Sequence, residues 1–288
     1  MIKVTALGTA LLLSLSGCSS SDGGATPVGK GKVSFTTWGE AYIEVGLPKD
    51  AFEDGWSVEY SRFLITLRDV KVAGADGAVV AQMAKPKVFD MVKAGQKAVV
   101  SFADLPAQAY TKVSYQIGPV DAAAELGDGV TAADRDDLVK NGASLHVVGE
   151  ATDGTTKKTF DWYFSVATAY ENCKAERDGK ETDGVVVTSG GDDVNQLTIH
   201  GDHLFYDDLA ASTAKLRFGN IAAADKDGDG KITLAELSAV KLATIPKEKG
   251  TYGTGASSID DLGAFVSALS RTVGHFRGEG ECFSKALR

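Results

Sequence analysis

From Gly31 to His200 the chain repeats one pattern: short runs in which every second residue is apolar, separated by Gly and Asp. Val33, Phe35 and Thr37 alternate with polar neighbours, and Trp56-Ser57-Val58-Glu59-Tyr60 does so again. Phe63–Leu67 and Val70–Val72 follow, with Gly74-Ala75-Asp76-Gly77 as a turn. A period of two puts one face of an extended chain on a core and the other in water, as in half-buried antiparallel strands. Ala98–Phe102, Tyr110–Ile117, Ser144–Gly149, Lys158–Ala167, Val185–Thr188 and Val194–His200 continue the series. Asp153-Gly154 between two of these runs is a hairpin signal, since that dipeptide accepts positive φ. With 33 glycines against 6 prolines, the composition suits tight turns. Thr131–Asn141 predicts one short helix capped by Thr131, with an acidic first half that suits the helix dipole. Lys174–Gly184, charged and Gly-bearing, predicts a surface loop.

Beyond Gly201 the period changes. Ser212–Ala224, Leu234–Leu242 and Ser258–Val273 predict helices, the last with Ser258 as cap and Ile259, Leu262, Phe265, Val266 and Leu269 on one face. The expected fold is therefore mainly β: an antiparallel β-sandwich over 31–200, then a helical C-terminal segment over 201–288 packed on it. A chain of 288 residues with 43% apolar content can bury such a core.

The first thirty residues are an address rather than part of that fold. Met1-Ile2-Lys3 is a positive start, and Val4–Leu15 is an apolar run too short for a comfortable membrane span, which reads as a signal peptide over 1–17. Its end, Leu15-Ser16-Gly17-Cys18, resembles the lipobox of bacterial lipoproteins. The resemblance implies cleavage before Cys18, acylation of that thiol and a lipid anchor in the membrane. Ser19 rather than Asp follows the Cys, which by the sorting pattern of that family implies secretion across the inner membrane to an outer-membrane location. Residues 18–30, rich in Ser and Gly, read as a flexible tether.

With Cys18 assigned to lipid, Cys173 and Cys282 remain, an even pair in an oxidising compartment. A disulfide between them is expected. Paired thiolates on a metal are the weaker alternative, because neither cysteine sits in a Cys-x-x-Cys pair.

Asp225-Lys226-Asp227-Gly228-Asp229-Gly230-Lys231-Ile232-Thr233-Leu234-Ala235-Glu236 concentrates acidic oxygens at alternate positions. A hard dication wants six to eight oxygens, several of them anionic, and such a set repels itself without one. The run is identified as a single EF-hand calcium loop. The resemblance implies Ca2+ held by the carboxylates of Asp225, Asp227, Asp229 and Glu236, the backbone carbonyl of Lys231, and Thr233 directly or through water. Gly230 allows the sharp turn. No second complete loop occurs: Asp178–Asp183 lacks the spacing. A lone loop braced by a domain reads as structural calcium rather than a sensor.

There are 4 histidines. His200 and His203 stand in His200-Gly201-Asp202-His203, followed by Asp207 and Asp208, and His275 lies close before Cys282. Imidazole suits copper or zinc, and neighbouring carboxylates orient or join it. If the disulfide folds the tail back, His275 can approach the other two. His-x-x-His alone is a weak signal, so hydrogen-bonded histidines with no metal role are the favoured reading and a metal site is the alternative. Leu105-Pro106-Ala107 through Tyr110 to Gly118-Pro119, with Phe160-Asp161-Trp162 and Tyr170, resembles fragments of methanobactin-associated periplasmic copper-binding proteins, which implies a β-sandwich; no metal ligand carries over from it.

A net charge of -9 argues against nucleic acid, whose phosphates need a basic face. No Gly-x-Ser-x-Gly elbow, His-Glu-x-x-His or phosphate loop occurs. Trp38, Trp56 and Trp162 could line a sugar site, but aromatics in a sandwich more often form core. Three readings compete. The first is a non-enzymatic calcium-binding envelope lipoprotein with a binding or scaffold role and an unidentified protein or metal-handling partner. The second is a periplasmic copper- or zinc-binding protein, and the third an envelope hydrolase.

Overall fold

The computed structural model describes residues 29–177 and 180–287. The expected signal peptide, Cys18 and most of the tether lie outside the described residues; Lys30 already opens the first strand. In chain order the first strands are β1 (Lys30–Trp38), β2 (Ser57–Ala73), β3 (Val79–Gln82), β4 (Lys87–Asp90), β5 (Lys97–Pro106) and β6 (Ala109–Tyr110). Then come β7 (Lys112–Ile117), β8 (Glu125–Leu126), β9 (Leu145–Thr152), β10 (Lys157–Phe164), β11 (Thr168–Glu171) and β12 (Lys174–Arg177). The last are β13 (Lys180–Asp183), β14 (Val185–Val186), β15 (Asp192–Ile199), β16 (Lys231–Ile232), β17 (Gly274–Phe276) and β18 (Phe283–Ala286). The α-helices are short: α1 (Glu40–Glu44), α2 (Ala132–Lys140), α3 (Gly219–Ala222), α4 (Leu234–Ala239) and α5 (Leu262–Leu269).

The fold is mainly β, as expected, but its sheets are mixed. One sheet has four strands in the order β17-β15-β1-β5; a larger one of ten runs β16-β10-β9-β2-β7-β11-β18, with β3 and β4 paired to β2 and β8 paired to β4. β1 and β15 pair in parallel from Lys32↔Asp192 to Trp38↔Thr198, and β10–β16 and β4–β8 are parallel as well. The antiparallel expectation is corrected for a physical reason. Apolar alternation reports which face of a strand is buried, not the direction of its neighbour, and parallel pairing joins segments distant in sequence.

Three predicted runs fuse into the 17-residue β2. It bends at register shifts between Tyr60 and Arg62 and between Arg68 and Lys71, where Asp69 takes a left-handed φ of 56°. An added residue at such a bulge resets which face the following side chains use, and so hides the continuity of the strand.

One core joins both sheets and the C-terminal segment. Val33 and Phe35 meet Phe63, Ile65 and Trp162, together with Leu204, Phe218, Leu237 and Phe265 from beyond residue 201. That segment is less helical than its pattern predicts. In place of a helix over 212–224 only α3 forms, and Leu216 instead bridges to Phe52 and Tyr206. The 258–273 prediction shrinks to α5, capped by Asp261, whose Oδ1 accepts from the Ala264 amide at 2.9 Å. Leu242 falls outside α4, in a 3-10 turn. β17 and β18 then return to the two sheets. The 174–184 loop is a hairpin of β12 and β13. α2 forms as expected, with Thr131 and Asp134 closing a capping box.

Candidate metal centres

Because β1 and β15 run parallel, they deliver their carboxyl ends to the same edge of the four-stranded sheet. His200 follows β15, and its amide donates to the Val273 carbonyl at 2.8 Å. The next turn, the 3-10 helix Asp202–Phe205, carries His203. β17 lies antiparallel to β15 with His275 opposite Thr198. Beyond it, Arg277 and Gly278 turn the chain through left-handed φ, and Phe276 N–H donates to the Gly280 carbonyl at 2.8 Å. Cys282 is then bonded to Cys173. The expected disulfide therefore forms, and the tail that bears His275 is folded back.

The three histidines come together. Ring centroids lie 4.2 Å apart for His200–His275, 5.0 Å for His203–His275 and 5.3 Å for His200–His203. One ring nitrogen from each lies within 4.8 Å of the others. His200 is 4% and His275 6% exposed. Burial, and then the neighbouring His275, pushes the His200 imidazole down to about 4. Burial, then His275 and His200, pushes His203 down to about 3. Both rings are thus neutral at pH 7 and keep a lone pair available.

His203 Nδ1 lies 2.9 Å from Thr272 Oγ1, which fixes that ring and leaves Nε2. His200 Nε2 and His275 Nδ1 are buried with no hydrogen-bond partner among the described residues. A buried polar atom left so costs about 1–3 kcal/mol. A metal ion accepting the lone pairs would remove that cost, and clustered neutral imidazoles are the donor set that copper and zinc prefer. The residues present therefore fit such an ion.

Carboxylates adjoin the imidazoles. Glu40 leaves β1 at a left-handed φ of 49°, and its Oε2 lies 3.4 Å from His200 Nδ1. One oxygen each from Glu40 and Glu279 and a nitrogen of His200 lie within 4.8 Å of one another. Asp202, 6% exposed, accepts from the Tyr206 hydroxyl at 2.9 Å through Oδ2, while Oδ1 has no partner among the described residues. Burial, then the charges of Glu279 and Asp202, pushes the Glu40 carboxyl up to about 7. Burial likewise raises Asp202. Sequence reasoning missed Glu40 and Glu279, since no spacing rule links the end of the first strand to the tail. Asp207 and Asp208, noted beside the histidines, do not join them. Asp207 pairs with Arg217 at 2.8 Å, and Asp208 Oδ1 accepts from the amides of Ala210 and Ala211.

The acidic loop folds into a turn of matching chemistry. Gly228 and Gly230 take φ of 76° and 84°, which only glycine adopts without strain. Asp225 accepts from the amides of Gly228 at 2.7 Å and Gly230 at 3.0 Å. Asp227 accepts from Asp229 at 3.1 Å, and Asp229 from Lys231 at 2.6 Å. Carboxylate oxygens of Asp225, Asp227 and Asp229 gather within 4.8 Å. Glu236 is not in that group: its Oε2 accepts from the Thr233 amide and hydroxyl at 2.8 and 2.9 Å, closing the capping box of α4. The loop is braced by the large sheet. β16 pairs with β10, Ile232 is fully buried, and the Trp162 indole N–H donates to the Ile232 carbonyl at 2.9 Å.

One further group falls on Asp225: Lys158 Nζ lies 2.5 Å from its Oδ2. That bond, with the two glycine amides, holds the Asp225 carboxyl below the usual carboxylate range.

The remaining histidine, His146, has Nε2 2.9 Å from Asp161 Oδ1 and stacks on Tyr163 at 3.9 Å. It lies outside the three-histidine cluster.

Comparison with known proteins returns no matching family model and no matching curated protein. Among solved structures the chain is similar to MbnP from Methylosinus trichosporium at 12% identity, over 61% of this chain and 77% of that one, with a TM-score of 0.33. The assignment of the site rests on this chain's own residues.

Proposed function

We propose that this is a metal-binding protein of the bacterial envelope, holding one copper or zinc ion at His200, His203 and His275. The observation that carries the reading is the convergence of three imidazoles, two of them buried, each of those two keeping a ring nitrogen without a partner among the described residues. The ion would supply Lewis-acid or redox character; the chain supplies neutral nitrogen donors, held by β15, β17 and the Thr272 hydroxyl. Metal content of purified protein tests it: about one equivalent of copper or zinc is expected, lost in the His200→Ala/His203→Ala variant. Retention of the ion by that variant would overturn the assignment.

A second metal is favoured by the loop 225–236. Its convergent carboxylates and left-handed glycines fit a calcium ion, as the EF-hand resemblance implies. We read that ion as structural, because β10 and Trp162 hold the loop against the large sheet. The sheet-on-sheet arrangement reads as a sandwich, and lipid anchoring at Cys18 would place it at the membrane. Calorimetric titration with Ca2+ decides the calcium reading: no heat at millimolar Ca2+ would remove it.

A further inference from the structure

Glu40 and Glu279 approach His200, one member of the histidine cluster, from two parts of the chain that sequence reasoning leaves unconnected, the end of β1 and the tail beyond β17. Glu40 Oε2 stands 3.4 Å from His200 Nδ1, and an oxygen of each glutamate lies within 4.8 Å of a nitrogen of His200. Among the described residues no lysine or arginine forms an ion pair with Glu40, Asp202 or Glu279. The neighbouring Arg277 is committed to Asp193 at 2.9 Å. Asp202 is buried and Glu40 half-buried, while Glu279 is exposed, and carboxylates crowded there without a cationic partner repel one another. Two atoms independently point to an occupant: His200 Nε2 and Asp202 Oδ1, on residues 4% and 6% exposed, have no hydrogen-bond partner among the described residues.

We propose that Glu40 and Glu279 are oxygen ligands of the three-histidine centre and make it a site for dications, Cu2+ or Zn2+, in preference to Cu+. This rests on the histidine reading above and adds the ion's charge to it. Three neutral imidazoles leave the charge of any bound ion uncompensated. Two carboxylates bring a dication to neutrality, whereas with Cu+ they leave an excess negative charge beside the half-buried Glu40. Carboxylate oxygen is also a harder donor than imidazole and suits Cu2+ or Zn2+ better than Cu+. Asp202 stands behind them, with one oxygen held by Tyr206.

The test measures the affinities of the full chain for Cu2+, Zn2+ and Cu+ by chelator competition, in wild type, Glu40→Gln, Glu279→Gln and the double variant. Glutamine keeps the size of the side chain and removes its charge. A thermal melt in chelator checks folding, and each single variant serves if the double one fails to fold. The expected result is a loss of about tenfold or more for Cu2+ and Zn2+ in the double variant, with Cu+ affinity held within about twofold. The electron paramagnetic resonance spectrum of bound Cu2+ should also move from mixed nitrogen–oxygen ligation towards nitrogen ligation. Unchanged dication affinity overturns the proposal. So does an equal loss for Cu+, which would make Glu40 only a positioning residue for His200. Wild-type protein that binds none of the three ions sinks the histidine reading and this proposal with it. Intact binding after the carboxylates are neutralised sinks this proposal alone.

Discussion

His200 and His275 lie ring to ring, 4.2 Å between centroids, because β17 pairs with β15 and the tail beyond it is bonded through Cys282 to Cys173. The disulfide closes a loop with a sequence separation of 109. In the chain-entropy account a closed loop of this size stabilises by ~4–5 kcal/mol. Cys173→Ser/Cys282→Ser should therefore melt well below wild type. It should also bind copper or zinc about tenfold more weakly, because the turn carrying His275 loses its outer tether. Melting curves and metal competition with and without reductant check both parts. Affinity that survives while stability falls would show that the β15–β17 pairing positions His275 unaided.

Lys158 occupies the first ligand of the acidic loop, with Nζ 2.5 Å from Asp225 Oδ2. An ammonium there competes with a bound dication for the same oxygen. Lys158→Met keeps the apolar stem and removes the charge. It should strengthen calcium binding by ~1 kcal/mol, roughly fivefold, and lower the melting temperature in chelator, where the acids then lack a counter-ion. Calcium titration beside melts in chelator reads both signs. Weaker calcium binding in the variant would mean that Lys158 holds Asp225 in place rather than competing for it.

Much of this was legible in the residues, and the gaps have causes. The alternation of Val33, Phe35 and Thr37 marks a strand whose three side chains are all buried, since period two follows from the pleat itself. The pairing of Cys173 with Cys282 followed from counting cysteines, and Gly228 and Gly230 stood out because the loop needs their positive φ. Partner direction was not legible: nothing local in β1 says that β15 runs beside it in parallel. Nor was Glu40, which enters the site only because the carboxyl ends of that parallel pair coincide. The expected helix over 212–224 failed because tertiary pairing of Leu216 with Phe52 and Tyr206 outweighs a weak helical pattern.

Glu236 has two duties that can be separated. Its carboxylate closes the capping box with Thr233, and as the last residue of the loop it is the expected bidentate calcium ligand. Glu236→Ala removes both, so it should melt lower even in chelator, by ~1 kcal/mol for the lost cap. Glu236→Gln keeps an oxygen for the Thr233 amide and removes the anionic ligand. It should melt like wild type in chelator and lose most of the stabilisation that calcium gives. Scanning calorimetry of both variants with calcium and with chelator separates cap from ligand. Equal calcium stabilisation in wild type and Glu236→Gln would show that Glu236 is not a ligand.

The metal-free centre should also show two opposed pH dependences. His200 and His203 are held below the free imidazole value, to about 4 and 3 in the folded chain. The unfolded chain therefore takes up their protons first. Their share of stability is complete above about pH 6.5 and is lost as pH falls through the folded values. Glu40 has the other sign. Its carboxyl is raised from 4.5 to about 7, so its share is complete below 4.5 and lost as pH rises through 7. Glu40→Gln should thus match wild type at pH 4.5 and exceed it at pH 8. After discounting for the exposed part of the carboxyl, the gain is roughly 1 kcal/mol. His200→Asn/His203→Asn should instead flatten the decline below pH 6.5. Denaturant unfolding in chelator across pH 4–8 measures each difference. A Glu40→Gln advantage that grew towards low pH would mean that the carboxyl is ionised in the folded protein and that the charge crowding assigned to Glu40, Asp202 and Glu279 is absent.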